Sequence, residues 1–507
     1  MLELVSFLCG LSVMILEMAG MRTISPFLGS SFVVWTSVIG VIMASLSFGY
    51  WFGGKISDKN PNAIKLSLIV LIAALYIFLV AMFQYEFLDK ITFIIKENIY
   101  ISSVIVGVIL FAIPSILLGM VSPYIIKIAL KTNEQEKDNQ GALIGRFYAI
   151  STIGSIIGTF LSGFYLVIYF GIESIFFILA AIVSIAALLL SLFALKNKEN
   201  LLFKRIVLAF EIIILLFFLL YTYYSVFLPI SVYPKMENVV YTKTTPYAFH
   251  TVARNNRNTY LIDSIQVIQS IKPIGKEPDE FVSTYHQMFF ELFKHKEKKQ
   301  DTLLIGNGAG VFLSGLLHYI DKTDIEINSV DVVEIDESLL LIAKKFFGLK
   351  EDKRINFYIQ DGRIFINNEA SKKYDLIYFD VYNEMLFLPA HLVTLECFTK
   401  TKKMLKKDGV VVINAIGSFK GNMSDYLRQI YTQAKAVFKN VAVYYYKDYK
   451  NYKNTEGRLN FMIVATDSDN EFDSDITIKY EDIQKTNQIF RDNFAPMEKF
   501  IIRQQKI

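Results

Sequence analysis

At 507 residues the chain exceeds one ordinary domain, and at 53% hydrophobic residues it is too apolar for a pair of ordinary soluble ones. A formal net charge of +4, with basic residues scattered among acids, leaves no nucleic-acid footprint. Cys9 and Cys397 stand alone and the five histidines have no metal-ligand spacing, which excludes a disulfide framework and a zinc cluster.

Candidate membrane spans come first, near 2–24, 31–54, 64–84, 101–130, 143–169, 171–195 and 206–229. At 1.5 Å per residue, each is long enough to cross a hydrocarbon layer of roughly 30 Å. The N-terminus is apolar from the start and carries neither a basic n-region nor a small-residue cleavage site, so it reads as a retained span. The span from 171 follows its predecessor so closely that the two form a tight hairpin, and the stretch 88–100, mixing charges with aromatics, reads as interfacial. Glu17 in the first span, Arg146 opening the fifth and Glu211 in the seventh are polar groups in an apolar setting, readable as a solute pathway or as interhelical salt bridges. Gly154, Gly158 and Gly163 read as marks of close helix packing.

The connections at 54–64, 131–142 and 196–205, with their edges, hold Lys55, Lys59, Lys65, Lys127, Lys131, Lys137, Arg146, Lys196, Lys198, Lys204 and Arg205. The opposite loops hold Arg22, Lys90 and Lys96. The positive-inside rule puts the richer set in the cytoplasm, and seven spans then put the rest of the chain outside. Either a span is miscounted or the second half faces outward; the sequence leaves both open.

From 230 the pattern turns to short β-rich runs, Val239 to Tyr241, His250 to Ala253 and Thr259 to Asp263, which predict a small antiparallel unit. From Asp301 strands and helices alternate, with strands at 302–306, 329–335, 355–359, 374–380, 410–415, 441–446 and 459–465 and helices at 311–320, 337–347, 391–406 and 422–437. The expected architecture is a multi-pass α-helical membrane domain over 1–229, a small β subdomain over 230–300 and an α/β Rossmann-like, methyltransferase-type domain over 301–507. The tail from Asp467, alternating acids, bases and aromatics at near-helical spacing, reads as a packing or interfacial helix.

The chemistry concentrates at strand ends. The loop Gly306-Asn307-Gly308-Ala309-Gly310 follows the first strand of the alternating region, where a turn must let the backbone approach a ligand before a helix begins. Glu334 ends the next strand, where an acid can bind both ribose hydroxyls. Asp361-Gly362 ends the third, where an acid can hold an adenine amino group, and Asp380 ends the fourth. Asp380 is the candidate for chemistry, with a helix cap or structural acid as the plainer reading.

These residues resemble the polyamine aminopropyltransferase family, which includes the spermidine synthases. The resemblance covers roughly 235–465: Leu261-Ile262-Asp263, Asp279-Glu280-Phe281 with Tyr285-His286, the Gly306 loop, Val333-Glu334-Ile335-Asp336, Asp361-Gly362-Arg363 and Tyr374-Asp375-Leu376-Ile377 leading to Asp380. The first half resembles the bacterial subgroup that fuses half a major-facilitator-like bundle to this enzyme, in Leu16-Glu17, Ser25-Pro26-Phe27-Leu28-Gly29, Gly53-Gly54-Lys55-Ile56-Ser57-Asp58, Gly119-Met120-Val121-Ser122-Pro123 and Gly145-Arg146-Phe147-Tyr148-Ala149.

The resemblance implies aminopropyl transfer from decarboxylated S-adenosylmethionine, as co-substrate, to an amine, releasing methylthioadenosine. It places Asp380 at the proton-acceptor position, Gly306, Gly308, Gly310, Glu334, Asp361, Gly362 and His286 on the donor, and Tyr285 and Asn383 on the acceptor. The implied partners are a small-molecule amine and the lipid membrane, with a homodimer left open. Three positions depart from the family pattern. Ala309 stands where the loop usually carries an acid, Asn383 where a second acid follows the proton acceptor, and Lys243 where a donor-binding glutamine is expected. The lost acids keep two alternatives open: methyl or aminocarboxypropyl transfer from intact S-adenosylmethionine, and a non-catalytic transporter or sensor that binds a nucleoside or polyamine.

Overall fold

The computed structural model describes residues 1–28, 32–94, 99–132, 140–196, 199–227, 238–245, 247–263, 267–276, 284–294, 300–323, 326–382, 387–452, 457–469, 476–493 and 495. Two compact units form, Met1–Met236 with Thr244–Pro246, and Glu237–Lys243 with Tyr247–Ile507. The boundary expected at 229 falls outside the described residues.

The first unit is a bundle of seven helices long and apolar enough to cross a membrane. They are α1 (Leu2–Leu28), α2 (Phe32–Lys59), α3 (Ala63–Ile94), α4 (Tyr100–Thr132), α5 (Gln140–Leu166), α6 (Ile172–Ala194) and α7 (Leu201–Phe227). α6 is the hub, packing against α1, α3 and α7. Its buried positions run almost all the way round, through Ile175, Phe176, Leu179, Ala180, Val183, Ala187 and Leu190. α7 instead exposes Leu202, Phe203, Ile206, Phe210, Ile213 and Leu216, a surface suited to lipid rather than water.

Glycines set the α1–α5 approach. A Cβ on Gly154 would lie 2.2 Å from the Phe7 carbonyl oxygen, and one on Gly158 2.5 Å from that of Leu11. Gly163, expected in the same role, has only the Met18 methyl at 3.9 Å and marks no close packing. The stretch expected to be interfacial continues α3 as a helix as far as Ile94, beyond the apolar span that ends at Gln84; 95–98 lie outside the described residues.

The membrane-half charges divide. Arg146 pairs with Glu3 at 2.6 Å, joining α5 to α1, and Lys127 with Asp58 at 2.7 Å, joining α4 to α2. Glu17 is half-buried on α1 and, among the described residues, has no ion-pair partner. Glu211 is fully buried on α7, facing Ser67 of α3 and Ser191 of α6, whose hydroxyls lie 3.0 Å apart.

In the second unit, β1 (Val239–Thr244), β2 (Phe249–Arg254), β3 (Asn258–Asp263) and β4 (Val267–Pro273) form a sheet in that order. The helix α8 (Thr284–Lys294) follows, and then β5 (Gln300–Ile305), α9 (Val311–Asp321), β6 (Ile327–Glu334), α10 (Glu337–Ile342), β7 (Ile355–Ile359), α11 (Gly362–Asn368) and β8 (Tyr374–Phe379). The chain closes with α12 (Leu395–Lys403), β9 (Leu405–Gly417), α13 (Asn422–Lys435), β10 (Asn440–Tyr446), β11 (Leu459–Thr466) and β12 (Thr477–Lys479).

The large sheet has the order β12-β10-β11-β9-β8-β5-β6-β7. β9, β8, β5, β6 and β7 are parallel, whereas β11, β10 and β12 add antiparallel neighbours beyond β9. From β5 the chain builds outward to β6 and β7, then returns to place β8 and β9 on the other side. This reversal opens a crevice at the carboxyl ends of β5 and β8, the position where open α/β sheets take ligands. The core under it is apolar on both layers: Leu304, Val330, Val332, Leu376 and Val412 from the strands meet Phe312, Leu313 and Leu316 of α9 and Met288, Phe289 and Phe290 of α8.

Three expectations need correction. The helix expected over 391–406 is a single 3₁₀ turn, Ala390–Leu392, then α12, because Thr394 in extended conformation caps Cys397 N and starts a new helix. β4, α8 and α11 were not anticipated. The described part of the tail is not helical: β12 pairs with β10, and the Thr486–Phe490 stretch lies along α12 and α13, where the Phe490 carbonyl accepts from Leu395 N. Its aromatics fill the sheet edge, where Tyr480 meets Phe419 at 5.3 Å between ring centres.

Candidate active site

The glycine loop occupies the crevice. Gly306, Gly308 and Gly310 have φ of 93°, 51° and 69°, the left-handed region that side chains disfavour. At Gly306 space adds to the requirement, since a Cβ there would sit 2.2 Å from the Asp380 carbonyl oxygen. Asp380 N donates to the Ile305 carbonyl at 2.9 Å, so the end of β8 and the start of the loop are locked together.

Glu334 braces the loop from the next strand. One carboxylate oxygen accepts from Asn307 N at 2.9 Å and the other from Asp336 N at 3.1 Å. Burial pushes its carboxyl above the ordinary value, against the pull of those two N–H groups. Each oxygen retains acceptor capacity, so a ribose diol can still be bound.

Asp361 is the N-cap of α11, with Oδ1 accepting from Arg363 N at 2.7 Å and Ile364 N at 3.2 Å. Its Oδ2 lies 3.0 Å from His391 Nε2, and this contact, ahead of burial, sets its carboxyl below the usual range. Gly362 is needed for packing, because a Cβ there would lie 2.7 Å from the Ile305 side chain. The cap role weighed for Asp380 thus belongs to Asp361.

Asp380 follows β8 and caps no helix among the described residues. Its Oδ1 accepts from Asn414 Nδ2 at 2.8 Å, and its Oδ2 lies 3.6 Å from His286 Nε2. His286 is buried on α8 between Tyr285 and Phe312, with ring centres 4.0 and 4.8 Å away. Burial pulls the His286 ring below its ordinary value, only partly offset by Asp380. Tyr378 is buried and Tyr382 half-buried, and the phenols of both stay protonated because burial, and the nearby Asp380 charge, oppose ionisation. Tyr382 donates to the Asn414 carbonyl at 2.6 Å.

The loop residue Ala309 is fully buried and packs with Val252, Leu261, Val311, Leu339, Ile342 and Phe347. Its N–H donates to Ser270 Oγ of β4 at 3.4 Å, which carries the small sheet over the loop. A second brace is His250, whose Nδ1 lies 2.5 Å from Asp263 and Nε2 2.9 Å from Asp336. Burial lowers the tendency of His250 to hold a proton, but the two carboxylates outweigh it and raise its pKa to about 9. Lys243 is exposed on β1, and Asn383 lies outside the described residues, as do Asp279, Glu280 and Phe281.

The structure therefore gathers Gly306, Gly308, Gly310, Glu334, Asp380, His286 and Tyr285 about one crevice, with Gly362 under β5. The sequence reading missed Asn414, Ser270, His250 and Tyr382. Asn414 left one signal, a lone amide closing the apolar run Val410-Val411-Val412-Ile413.

Such a site, on a parallel sheet with a small antiparallel sheet before it, defines an α/β domain of methyltransferase type. Residues 280–474 match the family model described as spermine/spermidine synthase domain. The C-terminal part of the chain is thus a spermine/spermidine synthase domain, preceded by a region of seven long apolar helices. Among curated relatives, a polyamine aminopropyltransferase of Vibrio vulnificus is 27% identical over 170 residues, covering 33% of this chain and 50% of that protein. Polyamine aminopropyltransferase 2 of Aquifex aeolicus is 23% identical over 476 residues, 88% of this chain and 84% of that one. The crystal structure of spermidine synthase from Thermotoga maritima aligns with a TM-score of 0.36 and 20% identity, over 51% of this chain and 82% of that one. The first curated relatives are matched over only 50% and 59% of their length.

Proposed function

We propose that the second unit transfers an aminopropyl group from decarboxylated S-adenosylmethionine to a small amine, releasing methylthioadenosine. The observation that carries this reading is Asp380: one carboxylate oxygen is held by Asn414, and the other lies 3.6 Å from His286 Nε2 beside the glycine loop. A protonated amine has no lone pair. Asp380 takes a proton from the amine nitrogen, and the freed pair attacks the carbon bonded to the sulfonium. As the new C–N bond forms, the C–S bond breaks and its electron pair stays on sulfur, neutralising it. Glu334 takes the ribose hydroxyls, Asp361 and Gly362 the adenine edge, Gly306, Gly308, Gly310 and His286 the rest of the donor, and Tyr285 with Asn383 the acceptor. The seven helices suggest a multi-pass membrane protein, which we assign to the cell membrane.

One observation favours a second reading. Ala309 packs into an apolar cluster, so its position supplies no acid to pair with a donor ammonium or to repel a carboxylate, and intact S-adenosylmethionine is the alternative donor. Mass spectrometry of the nucleoside released from each donor, with a mixed pool of amines, separates the two. Methylthioadenosine from the decarboxylated donor supports aminopropyl transfer; from the intact donor it indicates aminocarboxypropyl transfer, and adenosylhomocysteine indicates methylation. Asp380→Asn is expected to lower turnover roughly 10²- to 10⁴-fold while nucleoside affinity is kept. Loss of nucleoside binding together with turnover would make Asp380 a structural acid.

A further inference from the structure

Asn414 touches no reacting atom in the scheme above, yet the register of the sheet delivers it to the base. β8 and β9 run parallel with Phe379 opposite Ile413, so the next residues, Asp380 and Asn414, are neighbours on the opposite face. β11 runs antiparallel beside β9 with Met462 opposite Asn414, which puts Asn460 two residues along on that same face. Asn460 Nδ2 donates to Asn414 Oδ1 at 2.9 Å, and Asn414 Nδ2 donates to Asp380 Oδ1 at 2.8 Å. Asn414 is 1% exposed, and its backbone carbonyl takes the Tyr382 hydroxyl, so neither its main chain nor its amide is at liberty to swing.

The polarity of this chain of amides is forced. A carboxylate only accepts, so the nitrogen of Asn414 must face Asp380 and its oxygen must face β11. Asn460 meets that oxygen with a donor, which keeps the amide of Asn414 from turning over.

We propose that Asn414, polarised by Asn460, is a positioning residue that ties down Oδ1 of Asp380 and so fixes Oδ2 as the oxygen that takes the amine proton. This rests on the aminopropyl-transfer reading. Asn460 sits two side chains from the reaction, which makes its variants informative. Asn460→Asp can only accept, so it draws the nitrogen of Asn414 toward itself and turns the Asn414 oxygen against Asp380.

The test is steady-state kinetics on the full chain in detergent or lipid, with nucleoside binding and melting temperature measured on the same samples. Asn414→Ala and Asn460→Asp are each expected to lower kcat roughly 10- to 100-fold, the scale of a misplaced reacting group, with amine KM and nucleoside Kd unchanged. Combining them adds nothing further, because Asn460 acts through Asn414. A simply multiplicative double variant would show that the charge introduced at position 460 acts through space, and a loss carried by KM or Kd would show a packing role; either overturns the proposal. If the unmodified chain releases no methylthioadenosine from the decarboxylated donor, the transfer reading falls and takes this inference with it. Turnover in the unmodified chain, with Asn414→Ala as fast, would sink the inference alone.

Discussion

Ala309 stands where the resemblance leads to the expectation of an acid, and the fold gives it an apolar setting. Its methyl group is enclosed by Val252 and Leu261 of the small sheet and by Leu339, Ile342 and Phe347 beyond the loop. An acid at this position would be an unpaired charge in an apolar cluster, a change that costs about 3–5 kcal/mol. Ala309→Asp is therefore expected to lower the melting temperature and to leave binding of the decarboxylated donor no tighter. Tighter binding at an unchanged melting temperature would mean that position 309 faces the donor's ammonium group after all. The residues legible in the sequence were those whose role follows from place in a motif: the glycines, Glu334, Asp361 and Asp380 each end a strand. Asn414 and His250 were opaque because their partners, Asp380 and Asp336, are brought to them by strand register and by the seating of one sheet on another. For Asp361 the position was legible but the local bonding was not, since a cap is recognised only when the next helix is known.

At the scale of elements, the order β7-β6-β5-β8-β9 matters more than any single motif, because it puts the glycine loop and Asp380 at one reversal point. Alternation of apolar strands and helices made that half of the sheet readable. β4 was not, since Ile268-Gln269-Ser270-Ile271-Lys272 lacks strict alternation, and the tail deceived because aromatics at near-helical spacing serve an edge strand as well as a helix. The element that holds the small sheet to the loop is β2, through His250 between Asp263 of β3 and Asp336 at the head of α10. Its pKa is raised from 6.5 to about 9, so the folded state favours the protonated ring. The stabilisation is complete below the unfolded value, declines as pH rises above it and is gone once pH passes about 9. A shift of this size corresponds to about 3 kcal/mol. Thermal melts across neutral to alkaline pH should show the fall in the unmodified chain and a flatter profile in His250→Gln. Equal slopes in both would remove His250 as the source.

For the molecule as a whole, the count of spans decides which side the second unit occupies. If all seven helices found among the described residues cross, an odd number, the chain before α1 and the chain after α7 end on opposite sides of a bilayer. The basic connections, α2 to α3, α4 to α5 and α6 to α7, share the side of the N-terminus, and by the positive-inside rule that side is the cytoplasm. The count and the charge bias together predict that the second unit faces outward; a miscounted span predicts the reverse. Both native cysteines are buried, so introduced ones report with little background. Asn60→Cys, exposed between α2 and α3, and Glu351→Cys, on a side chain 87% exposed between α10 and β7, mark the two sides. A membrane-impermeant maleimide applied to intact cells is expected to label Glu351→Cys and to spare Asn60→Cys until the cells are lysed. The reverse pattern would place the second unit in the cytoplasm and show that the charge bias of these loops does not orient the bundle. Labelling of both sites in intact cells would mean that one of the seven helices does not cross.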